Sequence, residues 1–488
     1  MTTAADLAPA IRQLPPFARR PIAVIALTVV AVLLAVSPWY GYHRDELYFR
    51  LLGEHPQLGY FDTPPLTPMI ARVSTAVFGD TVVALRIFPA LAAGVIVVLV
   101  ALIAREFGGS RTAQLLAAAG TATGVFPLIA GHALLTLTPD MLVWAAAALC
   151  LARVLVRGDG RYWLAVGVIA GAATYNRDLI VLLLGGVGVG VLAAGPREVL
   201  RDRRLWIGAL LAIVIAAPNL VYQATHDWPQ LQMADALRGV EGTDNRIAFV
   251  PLQLVLLGPP QAVICVAGWL RLWRGRTTRA FAIAYPLGCA LTLYSGGRPD
   301  YTAGFLLYLF AAGCVVAADW RWRRTLVTAL AVSAVIAVVT ALPVIPAASL
   351  GGTPVAAMNE VARESVGMRD LARQVGRVVS ELPASERADA VLLASNYGQA
   401  GALDRWAGEF GLPPVHSPHN ELWWWGPPPE SARTVIVVGF NPTDGFARCS
   451  VAANLNGMPG EEQGRPITIC RDPLRPWHEL WPAMRHYS

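Results

Sequence analysis

Asp45 and Glu46 are adjacent carboxylates in Tyr42-His43-Arg44-Asp45-Glu46-Leu47-Tyr48-Phe49. Such a pair serves as a general base or holds a cation; otherwise it is solvated loop charge. Asp62 follows in Tyr60-Phe61-Asp62-Thr63-Pro64-Pro65-Leu66, ahead of a proline pair that starts a helix. Asp140 lies in Thr138-Pro139-Asp140-Met141, where it either caps the helix that follows or takes part in chemistry. Arg177 in Tyr175-Asn176-Arg177-Asp178 and Arg298 in Gly297-Arg298-Pro299-Asp300-Tyr301 each stand beside an acid. Each is half of a local ion pair or a fork for an anion, because guanidinium suits bidentate binding of phosphate. His226, Asp227 and Trp228 form a polar–aromatic group that reads as a pocket wall or as an interfacial anchor. No Cys/His spacing in the sequence fits a zinc site.

These residues hang on a strongly apolar frame. The chain is 55% hydrophobic and 15% charged, against about 25% charged in soluble domains. The deficit comes from eleven apolar segments near the length that crosses a bilayer: 22–40, 82–104, 112–131, 138–156, 162–175, 178–195, 204–222, 248–270, 278–295, 301–318 and 324–346. The first is too long for a signal peptide and lacks a small-residue cleavage site. All basic side chains are arginine, and they gather in alternate connections. Arg12, Arg19 and Arg20 precede the first span, and basic pairs or clusters follow the second, fourth, sixth, eighth and tenth. That alternation is the positive-inside pattern, not a nucleic-acid surface. It predicts a multi-pass protein of the plasma membrane with residues 1–21 as a cytoplasmic tail, a membrane domain over 22–346, long exported loops at 41–81 and 223–247, and an extracytoplasmic domain over 350–488.

The acids and exceptional arginines then share the exported face, drawn from separate connections. The segment 64–78 reads as an amphipathic helix lying at the interface. Arg86 stands near the outer end of the second span. In the tail, 356–382 has helical periodicity, 390–395 and 434–440 read as buried parallel strands, and 467–470 as a third strand. The fold class is an α-helical polytopic membrane protein with a small C-terminal α/β domain. Asn396, Tyr397 and Gln399 sit where a strand meets a helix, a usual place for ligands in open α/β sheets. Trp423, Trp424 and Trp425 stack on sugar or pack the domain on the membrane part. Cys449 and Cys470 can pair if the domain is exported.

Asp45-Glu46-Leu47-Tyr48, Gly59-Tyr60-Phe61-Asp62-Thr63-Pro64-Pro65-Leu66, Phe78-Gly79-Asp80 and the run from Pro218 to Pro229 resemble the GT-C class of membrane glycosyltransferases, in the branch of protein O-mannosyltransferases and lipid A aminoarabinose transferases. The resemblance extends over about residues 40–310, and the tail resembles that of actinobacterial members. It implies transfer of a sugar from a polyprenyl-phosphate donor to an envelope glycan, lipid or protein. Asp45 matches the family's first-loop acid and is expected to be the base, with Glu46 positioning the acceptor and Asp140 as second acid. Arg177, Arg298 and Arg86 are expected at the donor phosphate; at Arg177 and Arg298 the family commonly has Lys. Asp62, Tyr301, His226 and Asp227 are expected to line the substrate pocket. No metal ligand is assigned, although some relatives hold a divalent cation near the acidic loop, where the resemblance implies that Asp45, Glu46 and Asp140 could bind one. A transporter or lipid flippase would show internal repeats and ionisable groups at mid-membrane. A non-catalytic envelope scaffold is the remaining alternative.

Overall fold

The computed structural model describes residues 14–442 and 444–487. Arg12 and the start of the expected N-terminal tail lie outside the described residues. Each of the eleven apolar segments carries helix: α1 (Arg19–Val36), α4 (Val82–Glu106), α5 (Arg111–Ala122) with α6 (Val125–His132), α7 (Leu137–Arg157), α8 (Tyr162–Ala173), α9 (Ile180–Ala193), α10 (Arg203–Thr225), α12 (Pro259–Arg274), α13 (Arg279–Ser295), α14 (Ala303–Ala317) and α15 (Arg323–Ala341). Among the described residues six helices are individually long and apolar enough to cross a membrane, or up to eight when two bent pairs each count as one. α8 and α9, with 12 and 14 residues, reach only about 18–21 Å at 1.5 Å per residue.

Three expectations change. The third segment is broken: α5 and α6 meet at 57°. The expected loop 223–247 is helical from Pro229, and α11 (Pro229–Val255) meets α12 at 90°. Gly258, at φ +116° between them, takes a backbone conformation open mainly to glycine. The 356–382 periodicity is carried by short helices and by Met368–Ser380, with Gly367 at φ +98° as the break.

The connection 41–81 folds as α2 (Arg44–Glu54) and α3 (Leu66–Phe78), the latter close to the expected amphipathic helix. The tail is a five-stranded sheet in the order β2–β1–β3–β5–β4, with β1 Ala390–Ala394, β2 Val415–His416, β3 Thr434–Val438, β4 Phe446–Asn454 and β5 Pro466–Pro473. β1 and β3 pair in parallel as expected; β5 runs antiparallel to β3. Cys449 and Cys470 stand opposite each other on β4 and β5 and are joined by a disulfide.

One core fuses the connection to the tail. Leu47, Phe49, Leu51 and Leu52 of α2 bury themselves with Leu371 and Val375, Leu392, Leu403 and Ile436. Helix Tyr397–Arg405 lies against α2 so closely that a Cβ on Gly401 would stand 2.9 Å from the Leu47 carbonyl. The α/β unit is therefore seated on the same short helix that carries Asp45.

Candidate active site

α2 begins with a capping box. The His43 ring accepts the Asp45 N–H at 3.1 Å, and Glu46 accepts the His43 N–H at 2.9 Å. Successive helix residues point about 100° apart, so the adjacent acids part company. Glu46 points inward and is fully buried. Its two oxygens take Nε and Nη2 of Arg86 at 2.9 and 2.8 Å and the Leu134 N–H at 3.0 Å. Arg86 gives its remaining donors to the Ser37 and Gly41 carbonyls, both at 2.6 Å. This closed pair leaves neither side chain facing a ligand, so the expectation of an acceptor role for Glu46 and a phosphate role for Arg86 does not fit the geometry.

Asp45 points outward, with its side chain 29% exposed. Oδ1 accepts the Tyr397 hydroxyl at 2.9 Å. Burial alone would raise the Asp45 pKa, but His43, Arg44, the Tyr397 hydroxyl and Arg298 outweigh it and hold it below the usual carboxylate value. Arg298, from a connection some 250 residues away, is thus within Coulombic range of Asp45. Its Nε lies 3.1 Å from Asp300, and Asp300 in turn is 3.8 Å from Nη1 of Arg177. Asp140 is buried within Coulombic range of Arg177 and Asp300. Asp300 therefore joins Arg177 and Arg298, with Asp140 in the field of the first and Asp45 in the field of the second.

Arg177 is the most constrained member. Its Nε donates to Thr136 Oγ1 at 2.9 Å, and its guanidinium lies over the Tyr301 ring at 5.6 Å. Asn176, beside it, ties Thr67 of α3 at 2.7 Å to the Thr136 carbonyl at 2.7 Å. Nη1 of Arg177 is buried without a hydrogen-bond partner among the described residues. Asp300 lies beyond hydrogen-bond reach of it, so this buried donor keeps its capacity for a closer acceptor.

Asp62 accepts the Tyr48 hydroxyl at 2.8 Å and Nδ2 of Asn420 at 3.1 Å. Burial pushes its pKa up to about 6, against the pull of those two hydrogen bonds. Tyr48 stacks on Tyr397 at 4.5 Å, which links Asp62 to Asp45 through two rings. His226 and Asp227 stand apart. His226 is exposed and stacks on Tyr222 at 4.1 Å, and Asp227 is exposed beside it; neither has a contact with the acid–arginine group. Among the described residues no group of three His, Cys, Asp or Glu side chains is arranged to hold a metal ion. Asp45 and Glu46 cannot share one in this arrangement, since Glu46 is spent on Arg86.

Residues 62–222 match the model of the dolichyl-phosphate-mannose-protein mannosyltransferase family. ArnT from Cupriavidus metallidurans in the apo state superposes with a TM-score of 0.57 at 16% identity, over 92% of this chain and 96% of that one. The same protein bound to undecaprenyl phosphate gives 0.58 at 16% identity, over 91% and 97%. This chain has the GT-C glycosyltransferase fold. Arabinofuranosyltransferase AftD from Mycobacteria shares it at a TM-score of 0.51 and 13% identity, over 94% of this chain and 42% of that one. No curated protein matches the sequence. The GT-C resemblance read from the motifs agrees with both findings. What the motifs did not mark are Asp300, seen only as an ion-pair partner of Arg298, and Tyr48, Asn420 and Glu421. Tyr48 stands in the Asp45–Tyr48 motif and Asn420 and Glu421 in the run 420–426 that resembles actinobacterial tails, but no local pattern encodes how that tail sits on α2.

Proposed function

We propose that this chain transfers a sugar from a polyprenyl-phosphate donor to a cell-envelope acceptor on the exported side of the plasma membrane. The observation that carries the reading is the Arg177–Asp300–Arg298 group, with Asp140 within Coulombic range of Arg177 and Asp300 and Asp45 within that of Arg298. The acceptor hydroxyl oxygen attacks the anomeric carbon, and the bond from that carbon to the phosphate oxygen breaks. Asp45, ionised and partly exposed, takes the hydroxyl proton. Arg177, whose buried Nη1 has Asp300 at 3.8 Å but no hydrogen bond, and Arg298 receive the charge that develops on the departing polyprenyl phosphate. Asp300 fixes both guanidinium groups before the donor arrives. Asp140 is the second acid of the centre, and Asp62 and Tyr301 belong to its walls. Glu46 and Arg86 are its scaffold. The solved relative that binds undecaprenyl phosphate has the same fold and supports a lipid-linked donor.

The orientation supported by the arginine alternation puts the N-terminus in the cytoplasm and the α/β domain outside, where a disulfide persists. A transporter would gather its ionisable groups at mid-membrane between repeats. Here they meet at the seam between the helices and the tail. The deciding experiment gives purified protein a panel of labelled polyprenyl-phosphate sugars and envelope acceptors. Transfer by the wild type and its loss in a folded Asp45→Asn variant are expected. An active Asp45→Asn enzyme overturns the base assignment, and a folded wild type that turns over no donor overturns the reaction.

A further inference from the structure

Among the hydrogen bonds that join the α/β tail to the acidic connection, one ends on Asp45 itself. Tyr397 is the first residue of helix Tyr397–Arg405, and its hydroxyl is 2.9 Å from Asp45 Oδ1. Everything around Tyr397 holds it still. Its N–H donates to Nδ1 of His419 at 3.1 Å, so that nitrogen is an acceptor. Burial lowers the His419 pKa to about 3, which keeps the ring neutral and the acceptor available at any working pH. Asn396 caps the helix by accepting the Gln399 N–H at 2.9 Å, and donates to Glu462 at 2.8 Å. The Tyr397 ring is clamped between Tyr48 at 4.5 Å and His419 at 5.2 Å. Gly398 and Gly401 let the helix approach α2 at backbone distance; a Cβ at Gly398 would be 2.7 Å from Arg44 Cβ.

Such anchoring exceeds what docking a domain requires, and it converges on one carboxylate oxygen. Oδ1 is taken by Tyr397, and among the described residues Oδ2 has no hydrogen-bond donor. A carboxylate pinned by one oxygen presents the other in a fixed direction, which is the condition for efficient proton transfer. Burial and the Asp45 charge keep the Tyr397 hydroxyl well above its ordinary pKa, so it remains a donor throughout.

We propose that Tyr397 of the α/β tail is a positioning residue that aims Asp45, so that the tail completes the catalytic centre and is more than a docked appendage. The inference rests on the reading of Asp45 as the base. Its test is Tyr397→Phe, which keeps the ring stack and deletes only the hydroxyl. kcat is expected to fall about 10- to 100-fold, the worth of one hydrogen bond to a charged group, with KM for donor and acceptor within about twofold. A double-mutant cycle with Asp45→Ala, read by thermal unfolding of the detergent-purified full chain, isolates the contact. Tyr397→Phe is expected to lower Tm in the wild type and to leave it unchanged in the Asp45→Ala background. Unchanged kcat in folded Tyr397→Phe, or the same Tm loss in both backgrounds, overturns the proposal. If no donor is turned over by the wild type, the reaction fails, while the Tm cycle still reports whether Tyr397 acts through Asp45.

Discussion

At the scale of residues, the decisive distinction is between charges that are spent and charges that are available. Arg86 spends its guanidinium on Glu46 and on backbone carbonyls in full burial. Arg177 is 23% exposed and Arg298 47%, and they reach different oxygens of the same carboxylate, Asp300. Arg177 has the better claim to phosphate, because Thr136 and the Tyr301 face orient it while Nη1, 3.8 Å from Asp300, makes no hydrogen bond. A planar fork held this way is not replaceable by a point charge. Arg177→Lys is therefore expected to weaken binding of polyprenyl phosphate about tenfold or more, and Arg177→Ala further. Titration of purified protein with polyprenyl phosphate, followed by tryptophan fluorescence, checks this. Equal affinities for wild type and Arg177→Ala would move the phosphate site elsewhere. Arg86→Ala is expected to act differently, through loss of folded protein.

At the scale of elements, Glu46 and Arg86 join four pieces of backbone: the end of α1 at Ser37, the start of α2, the first turns of α4 and the connection after α6 at Leu134. Removing one partner of a buried pair leaves the other charge uncompensated, at a cost of about 3–5 kcal/mol. Glu46→Gln should consequently lower the midpoint of thermal unfolding sharply, and adding Arg86→Met should recover part of the loss. A Glu46→Gln protein as stable as wild type would show that the pair is not what holds α2. The sequence made the two acids look equivalent because 41–81 read as a loop; once α2 is helical, the step of about 100° per residue separates them. The apolar spans, by contrast, were legible from composition, since only helix satisfies the backbone in lipid. α11 was not. Its 27 residues include Gly239, Gly242, Pro251 and five charges, and no apolar period marks it. Its helicity rests on tertiary bonds, with Arg238 donating to the Ser295 carbonyl at 2.9 Å and Arg246 to that of Leu293 at 3.1 Å, at the open end of α13. β4 escaped for a related reason: most of its residues are exposed, so no alternation betrays it. The strands β1 and β3, buried throughout, were read directly from their apolar runs.

At the scale of the whole molecule, the tail and the acidic connection form one structure through buried carboxyls as well as through a shared core. Glu421 accepts the Phe61 N–H at 2.7 Å and Nε2 of Gln57 at 3.1 Å, and Asn420 reaches Asp62. Burial pushes the Glu421 pKa up to about 7, above its ordinary 4.5, and that of Asp62 up to about 6 from 3.8. A carboxyl whose pKa is raised by folding binds its proton more tightly in the folded state. Its stabilising contribution is complete below the unfolded value and is lost as pH climbs through the folded one. For Glu421 that window runs from about 4.5 to about 7, and for Asp62 from 3.8 to about 6. The seam is accordingly expected to loosen between about pH 4 and pH 7, the reverse of the trend for a salt-bridged acid. Hydrogen exchange at residues 57–62 checks this directly: the amides, Phe61 above all, should be better protected at pH 5 than at pH 8 after correction for intrinsic exchange. Glu421→Gln keeps the carbonyl acceptor for Phe61 and cannot ionise, so it should flatten most of the pH dependence and leave the part owed to Asp62. Because Asp45 is held by Tyr397 across the same seam, loosening there has a catalytic consequence. kcat should fall toward pH 8 in the wild type and fall less in Glu421→Gln. Protection that rises with pH, or a Glu421→Gln profile identical to the wild type, would show that the seam is held by its apolar core alone.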